Sequence, residues 1–296
     1  MDIKNIETFL RVAKLENFTK AAEELNYAQS TVTAQIQQLE RELGFPLFDR
    51  IGKHVSLTQL GERFLSQADD ILHIWFQANT LGQKEDEMNG RLYIGVLESL
   101  LFGTMPDVLE RFRSRYRNVE VQIKMGQAAE VLSLLRKNQL DLVYISGNLN
   151  AEADLSRQYA RPEALVFFAP PNHPLADQLN VPLAEFLSYD IIATERSGFC
   201  YPRLSELAAS QHLGLRHCFM VDSTSAVAEL VSRGMGLSFL PEYSIAKHLA
   251  DGRLVKLDID VPPQSYFSQI LYHKDKWIAP FVDGFVDIVR EIRPES

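Results

Sequence analysis

The sequence predicts an α/β protein in three parts: an α-rich N-terminal domain, a long connecting helix, and two Rossmann-like α/β subdomains. Three observations carry that prediction. Residues 18–44 hold two short helical patterns separated by a turn. One apolar stripe of helical period then runs from Leu60 to Ala78. From Arg91 onward strand-like and helix-like runs alternate, which is the pattern of a largely parallel sheet with helical crossovers. The expected domains are residues 1–58, 59–89 and 90–296.

The first helix of the N-terminal pair, Phe18–Leu25, begins with a Thr19 hydroxyl that can cap it. It also carries small Ala21 and Ala22 where a crossing helix needs close approach. Asn26-Tyr27 forms the turn. Beyond it Val32, Ile36, Leu39 and Leu43 recur at steps of four, three and four, one narrow apolar stripe on a helix. The opposite arc carries Ser30, Thr33, Ala34 and Gln37, with Gln29 at the N-terminal flank. Short polar side chains there can hydrogen-bond base edges or phosphates in a major groove. Gly44 stops the helix and Pro46 prevents its continuation. In Ile51-Gly52-Lys53-His54, Gly52 can turn a short hairpin, placing Arg50, Lys53 and His54 where phosphates are met. An amphipathic helix alone is a common solvated element. Followed at once by a basic hairpin, it has the outline of a winged helix-turn-helix that reads double-stranded DNA.

On these residues the chain resembles the N-terminal domain of the LysR-type transcriptional regulators, a large bacterial family. The match runs along Phe9, Phe18-Thr19-Lys20-Ala21-Ala22, Gln29-Ser30, Ile36-Gln37-Gln38-Leu39-Glu40, Leu43-Gly44, Pro46-Leu47-Phe48, Arg50, Leu57-Thr58 and Gly61. The resemblance implies DNA contacts from Gln29, Ser30, Thr31, Thr33, Arg50 and Lys53, to which the exposed arc adds Gln37. Ala28 stands where the family often has a capping Ser, and Ser30 and Ala34 stand where Pro and Arg are common. A lost cap costs about 1 kcal/mol; a lost Arg removes a candidate phosphate contact.

Residues 1–57 hold seven basic and eight acidic side chains, a net charge of −1 within a chain of net charge −9. Nonspecific attraction to DNA is therefore weak, and binding must rely on local contacts, helix N-termini and several modules acting together. A homodimer or homotetramer reading paired half-sites is expected. At 296 residues and 46 % hydrophobic composition the chain suffices for two or three domains with ordinary cores. No apolar run approaches the roughly 20 residues of a membrane span, and the N-terminus reads as an amphipathic helix rather than a signal peptide. A cytoplasmic location and no membrane partner are expected. Two cysteines are too few for a disulfide scaffold, and no Cys/His group has metal-ligand spacing, so no metal and no cofactor is expected.

In the connecting helix Leu60, Phe64, Ala68, Ile71, Trp75 and Ala78 step by four, four, three, four and three, and Leu65, Leu72 and Phe76 widen the stripe. A lone helix could not keep that face in water. It packs on its own domain or on the same helix of a second subunit; the resemblance favours the second, with Leu60, Phe64, Ile71 and Trp75 as dimer contacts. Lys84 to Gly90 reads as a polar hinge.

Strands are expected at Arg91–Val96, Val119–Met125 and Asp141–Ile145, with helices at Pro106–Tyr116 and Ala128–Lys137. A second unit has strands at Ala164–Ala169, Tyr189–Thr194, Leu215–Val221 and Leu237–Leu240, and helices at Pro202–Leu213 and Ser223–Arg233. Gly95 with Glu98-Ser99, Met105-Pro106, Gly126, Leu140-Asp141-Leu142, Asn172-His173-Pro174-Leu175, Gly234-Met235-Gly236-Leu237 and Leu240-Pro241 are similar to the effector-binding domain of the same family. That domain is itself similar to two-lobed, type 2 periplasmic binding proteins. The resemblance implies lobe I at about 90–161 and 267–296, lobe II at about 162–266, and a last helix, Ile278–Ile292, closing lobe I. It further implies a small-molecule effector, and contact with RNA polymerase if the protein activates.

Two α/β lobes leave a cleft between the carboxyl ends of their strands. Glu98-Ser99, with Leu100 next to it, follows the first strand of lobe I, Gln127 the second and Ser146 the third; Thr194, Cys200 and Ser223 are their counterparts in lobe II. Several precede helices, whose free N–H groups favour an anion, so a small carboxylate is the leading effector class. Each Ser or Thr taken alone is equally a simple helix cap. Cys200, near a helix N-terminus with Arg203 one turn on and Cys218 within reach along the sequence, also allows a thiol-based redox sensor, with pocket lining preferred. A reading from another class makes the two-lobed half a solute carrier or an enzyme. The carrier lacks a signal peptide and the enzyme lacks an elbow or metal signature.

Overall fold

The computed structural model describes residues 1–51, 54–80, 87–194, 198–215 and 218–295. In the first domain α1 (Ile3–Leu15), α2 (Phe18–Leu25) and α3 (Gln29–Leu43) enclose Ile6, Phe9, Val12, Ala21, Val32, Ile36 and Leu39. Asn17, rather than Thr19, caps α2, accepting from the Thr19 and Lys20 amides at 2.9 and 3.0 Å. Ala28 provides no side-chain cap for α3, and Gly44 ends it at φ 80° in the left-handed region. The wing is the antiparallel pair β1 (Phe48–Ile51) and β2 (His54–Leu57). One oxygen of Glu40 accepts from the Leu47 and Phe48 amides at 2.8 and 3.3 Å and fastens the wing to α3.

Thr58 caps α4 (Gln59–Thr80), its hydroxyl accepting from the Gly61 amide at 2.9 Å. The apolar stripe of α4 divides along its length. Phe64, Ala68 and Leu72 are buried in the N-terminal domain, with the Phe64 ring 5.2 Å from that of Phe9, and Ile71 packs on the same core. Leu60 and Trp75 stay 43 % and 41 % exposed. Phe64 is thus a core residue of its own domain and offers a partner no surface, a correction to its expected dimer role. The cause is α1, whose Phe9 ring packs against Phe64. The first residues of the expected hinge, Lys84 to Asp86, lie outside the described residues.

Lobe I comprises β3 (Asn89–Val96), α5 (Glu98–Gly103), α6 (Met105–Arg115), β4 (Asn118–Met125), α7 (Ala128–Arg136), β5 (Leu142–Gly147) and β6 (Leu155–Pro162). The chain then builds lobe II from β7 (Leu165–Ala169), β8 (Val181–Pro182), α8 (Leu183–Phe186), β9 (Ile191–Ala193), α9 (Cys200–Ser210), β10 (Cys218–Met220), α10 (Thr224–Ser232), β11 (Ser238–Pro241), α11 (Glu242–Ala250), β12 (Val255–Leu257) and β13 (Ile259–Asp260). It returns to lobe I through β14 (Phe267–His273) and α12 (Pro280–Ile292). The lobe I sheet has the order β4-β3-β5-β14-β6. β3 runs parallel to β4 and β5, whereas β14 is antiparallel to β5 and β6. The sheet is therefore mixed, because β6 leaves for lobe II and β14 comes back beside it, so the two must run in opposite directions. In lobe II β7 lies antiparallel between β11 and β12, and β9 pairs in parallel with β10.

Each lobe has its own core, but Tyr243 of α11 joins the lobe I cluster. α5 is the element of lobe I that meets α10 and α11 of lobe II. At Gly103 the lobes approach closely, since a Cβ there would lie 2.7 Å from the Tyr243 carbonyl oxygen. At the crossover Glu163 and Arg293 form a nearly buried pair at 2.7 Å, and Ser268 donates to Glu163 at 2.6 Å. Among the described residues no helix is long and apolar enough to cross a membrane.

Candidate functional site

On α3 the outward arc presents Gln29, Ser30, Thr31, Ala34 and Gln37 to solvent, with Thr33 half-buried at its edge. The face is uncharged and short-chained, suited to hydrogen bonds at base edges. Lys53 lies outside the described residues, as do the side chains of Arg50 and His54.

Between the lobes lies a cavity of about 900 Å³. Ser99, Gln127 and Ser146 line it from lobe I, and Thr194, Cys200 and Ser223 from lobe II. Leu100 does not. It is fully buried in the core of lobe I, one residue further along α5 than Ser99 and so turned the other way, which corrects its place among the effector residues.

The two serines of lobe I are held by tyrosines. Ser146 accepts from the hydroxyls of Tyr243 at 3.0 Å and Tyr266 at 2.6 Å, and Ser99 lies 3.3 Å from the Tyr243 hydroxyl. Burial keeps Tyr243 and Tyr266 protonated well above the usual phenol range. The Phe199 ring packs 4.8 Å from Tyr266, and Gln269 donates to the Asn148 carbonyl and accepts from the Asn150 amide at 2.7 and 2.9 Å.

The N-terminus of α10, expected to receive the anionic end of an effector, is filled from inside the protein. Glu98 of lobe I accepts from the Ser223 hydroxyl at 2.7 Å and from the Thr224 and Ser225 amides at 2.8 and 3.4 Å. Ser223 at the same time caps α10, accepting from the Ala226 amide at 3.1 Å. Ser223 therefore already has a carboxylate partner within the protein while it lines the cavity. Sequence reasoning names Glu98 only as the strand-end neighbour of Ser99 and gives it no role of its own. Nothing local shows that it reaches across the cleft.

Cys200 lines the cavity wall yet is buried, and removal from water pushes its thiol up to about 12. Arg203 is engaged elsewhere, donating to Gln264 and to Glu206. The expected activation of the thiol by a helix N-terminus and an arginine is thus overturned by desolvation. The Cys218 side chain lies outside the described residues.

Comparison with known proteins supplies the family. Residues 3–62 match the bacterial regulatory helix-turn-helix protein, lysR family, and residues 85–293 match the LysR substrate binding domain. The uncharacterized HTH-type transcriptional regulator YwqM of Bacillus subtilis is 31 % identical over 98 % of this chain and 99 % of its own length. The HTH-type transcriptional activator CmpR of Synechocystis is 27 % identical over 96 % and 93 %. A full-length OxyR variant from Pseudomonas aeruginosa shares the fold at a TM-score of 0.70 and 18 % identity, covering 100 % of this chain and 96 % of its own. With its helix-turn-helix, connecting helix and two-lobed domain matched from end to end, the chain belongs to the LysR family of DNA-binding transcriptional regulators.

Proposed function

We propose that a small molecule bound in the cleft changes how a homodimer, or a pair of dimers, presents two copies of α3 to paired half-sites of double-stranded DNA. The observation that carries this is the joining of an uncharged recognition face to a cleft lined from both lobes, through a helix that keeps Leu60 and Trp75 exposed. Gln29, Ser30, Thr31, Thr33 and Gln37 are the base and phosphate readers, with Arg50 and Lys53 meeting phosphates from the wing. Ser99, Gln127, Ser146, Thr194, Cys200 and Ser223 form the effector site. A carboxylate on the effector has the N-termini of α7 and α9 to approach, because that of α10 is taken by Glu98. Where such a regulator activates, it does so by contact with RNA polymerase.

A gel-shift titration with DNA flanking the protein's own gene tests the reading. A specific shift is expected, and Gln29→Ala or Gln37→Ala lowers affinity by about 1–3 kcal/mol if the side chain reads a base. No specific shift with any upstream fragment overturns it.

A further inference from the structure

The cleft carries its own carboxylate where a ligand's acid group would otherwise sit. Glu98 crosses from the end of β3 to the first turn of α10, and its two oxygens receive one hydroxyl and two amides of lobe II. Asp222, the residue before Ser223, adds a second carboxylate to the cavity lining at that end, and Glu130 a third on the α7 side. Among the described lining residues there is no Lys, Arg or His. Asp222 and Glu130 are exposed and Glu130 is paired with Lys124 at 3.0 Å, so it is the half-buried Glu98, already on the α10 amides, that disfavours another anion beside it. A group that donates hydrogen bonds is favoured there.

A second polar group of the same cavity, joined to Ser99 through the Tyr243 hydroxyl, asks for the complementary group. Ser146 is 7 % exposed and lines the cavity. Its oxygen accepts from both Tyr243 and Tyr266, so its own proton must be donated elsewhere, and among the described residues no acceptor takes it. A buried donor without an acceptor is unfavourable, and an acceptor on a ligand removes that cost.

We propose that Glu98 is the specificity-determining residue of this cleft: it occupies the anion position of α10 as an intramolecular ligand and selects a small molecule presenting a hydroxyl or ammonium group to it and an acceptor to Ser146. The inference rests on the cleft being the effector site. Its test reads only the α10 position, so it fails separately from the regulator reading, which the DNA titration decides.

The test is chemical rescue of the full-length protein by acetate. Glu98→Ala vacates the carboxylate position, and sodium acetate, against sodium chloride at equal ionic strength, raises its unfolding midpoint by roughly 2–4 °C for each kcal/mol of acetate binding. The wild-type midpoint does not respond, and adding Ser223→Ala to the Glu98→Ala protein abolishes the rescue. Glu98→Ser repeats the rescue if the alanine variant does not fold. A saturable acetate shift in the wild type that Ser223→Ala removes overturns the proposal, because a free carboxylate then displaces Glu98. Absence of rescue in the vacated variants overturns it as well.

Discussion

A helix N-terminus and a neighbouring arginine favour a thiolate only where the sulfur keeps contact with water. Cys200 has the first and lacks the last, and its thiol is pushed up to about 12. At pH 7 to 9 it is therefore protonated, and the expected outcome is slow alkylation of the folded protein by iodoacetamide with rapid reaction after denaturation. Cys200→Ser leaves DNA binding equally insensitive to peroxide. Fast, stoichiometric labelling of the native protein would contradict the burial. The folded value lies above the ordinary 9.0, so the stability this thiol contributes is present below pH 9 and is lost as pH rises from there toward the folded value. Gly103 presents a different single-atom constraint. A Cβ there would meet the Tyr243 carbonyl oxygen at 2.7 Å and the Tyr243 ring at 2.9 Å. Gly103→Ala should push α5 from α11 and strain the Glu98 bridge beside it. The expected readout is a lower unfolding midpoint with a larger radius of gyration in small-angle scattering; an unchanged midpoint would mean that the lobes absorb the methyl.

The long helix α4 serves two surfaces, and its residues separate by what covers them. Phe64 touches Phe9 inside the N-terminal domain, so Phe64→Ala should cost about 3–5 kcal/mol and lower the first unfolding transition. Trp75→Asp and Leu60→Asp act on side chains that are over two-fifths exposed, whereas Phe64 is 4 % exposed. They should leave that transition nearly unchanged and shift the sedimentation profile toward monomer. A Trp75→Asp protein that stays oligomeric would place the subunit contact elsewhere. Periodicity in the sequence showed the whole stripe, because 3.6-residue spacing is local. It could not divide the stripe, because the burial of Phe64 comes from α1, about fifty residues earlier. The same limit explains β6 and β14. Their pairing joins segments more than a hundred residues apart, and it sets one antiparallel strand, β14, into the largely parallel sheet that the sequence predicts. Ser99, Gln127, Ser146, Thr194, Cys200 and Ser223 were legible as strand-end and helix-start residues. Tyr243, Tyr266 and the reach of Glu98 were not, since each acts through a hydrogen bond spanning between 23 and 144 positions.

Beyond α4, the DNA-reading domain touches lobe I through Lys14, at the end of α1, whose ammonium lies 4.3 Å from the centre of the Tyr93 ring on β3. The contact is made under electrostatic cost. Burial first, then the charges of Lys276 and Arg11, lower Lys14 to about 8, with Asp141 and Glu24 offsetting only part of the effect. A cation held over an aromatic face is attractive, but here it must lose water beside two like charges. The folded value lies below the ordinary 10.5, so between pH 8 and that value the unfolded chain binds a proton that the folded one has released. Stability from this group therefore rises with pH across that window, and the penalty is complete below pH 8. Lys14→Met removes the titration while keeping the apolar stem. Relative to wild type it should be more stable at pH 7, and the difference should shrink as the pH is raised toward 10, followed by chemical denaturation of the full-length protein. A difference that does not change with pH would mean that Lys14 is solvated in solution and that the N-terminal domain does not rest on lobe I. The effector signal would then have to pass through α4 alone.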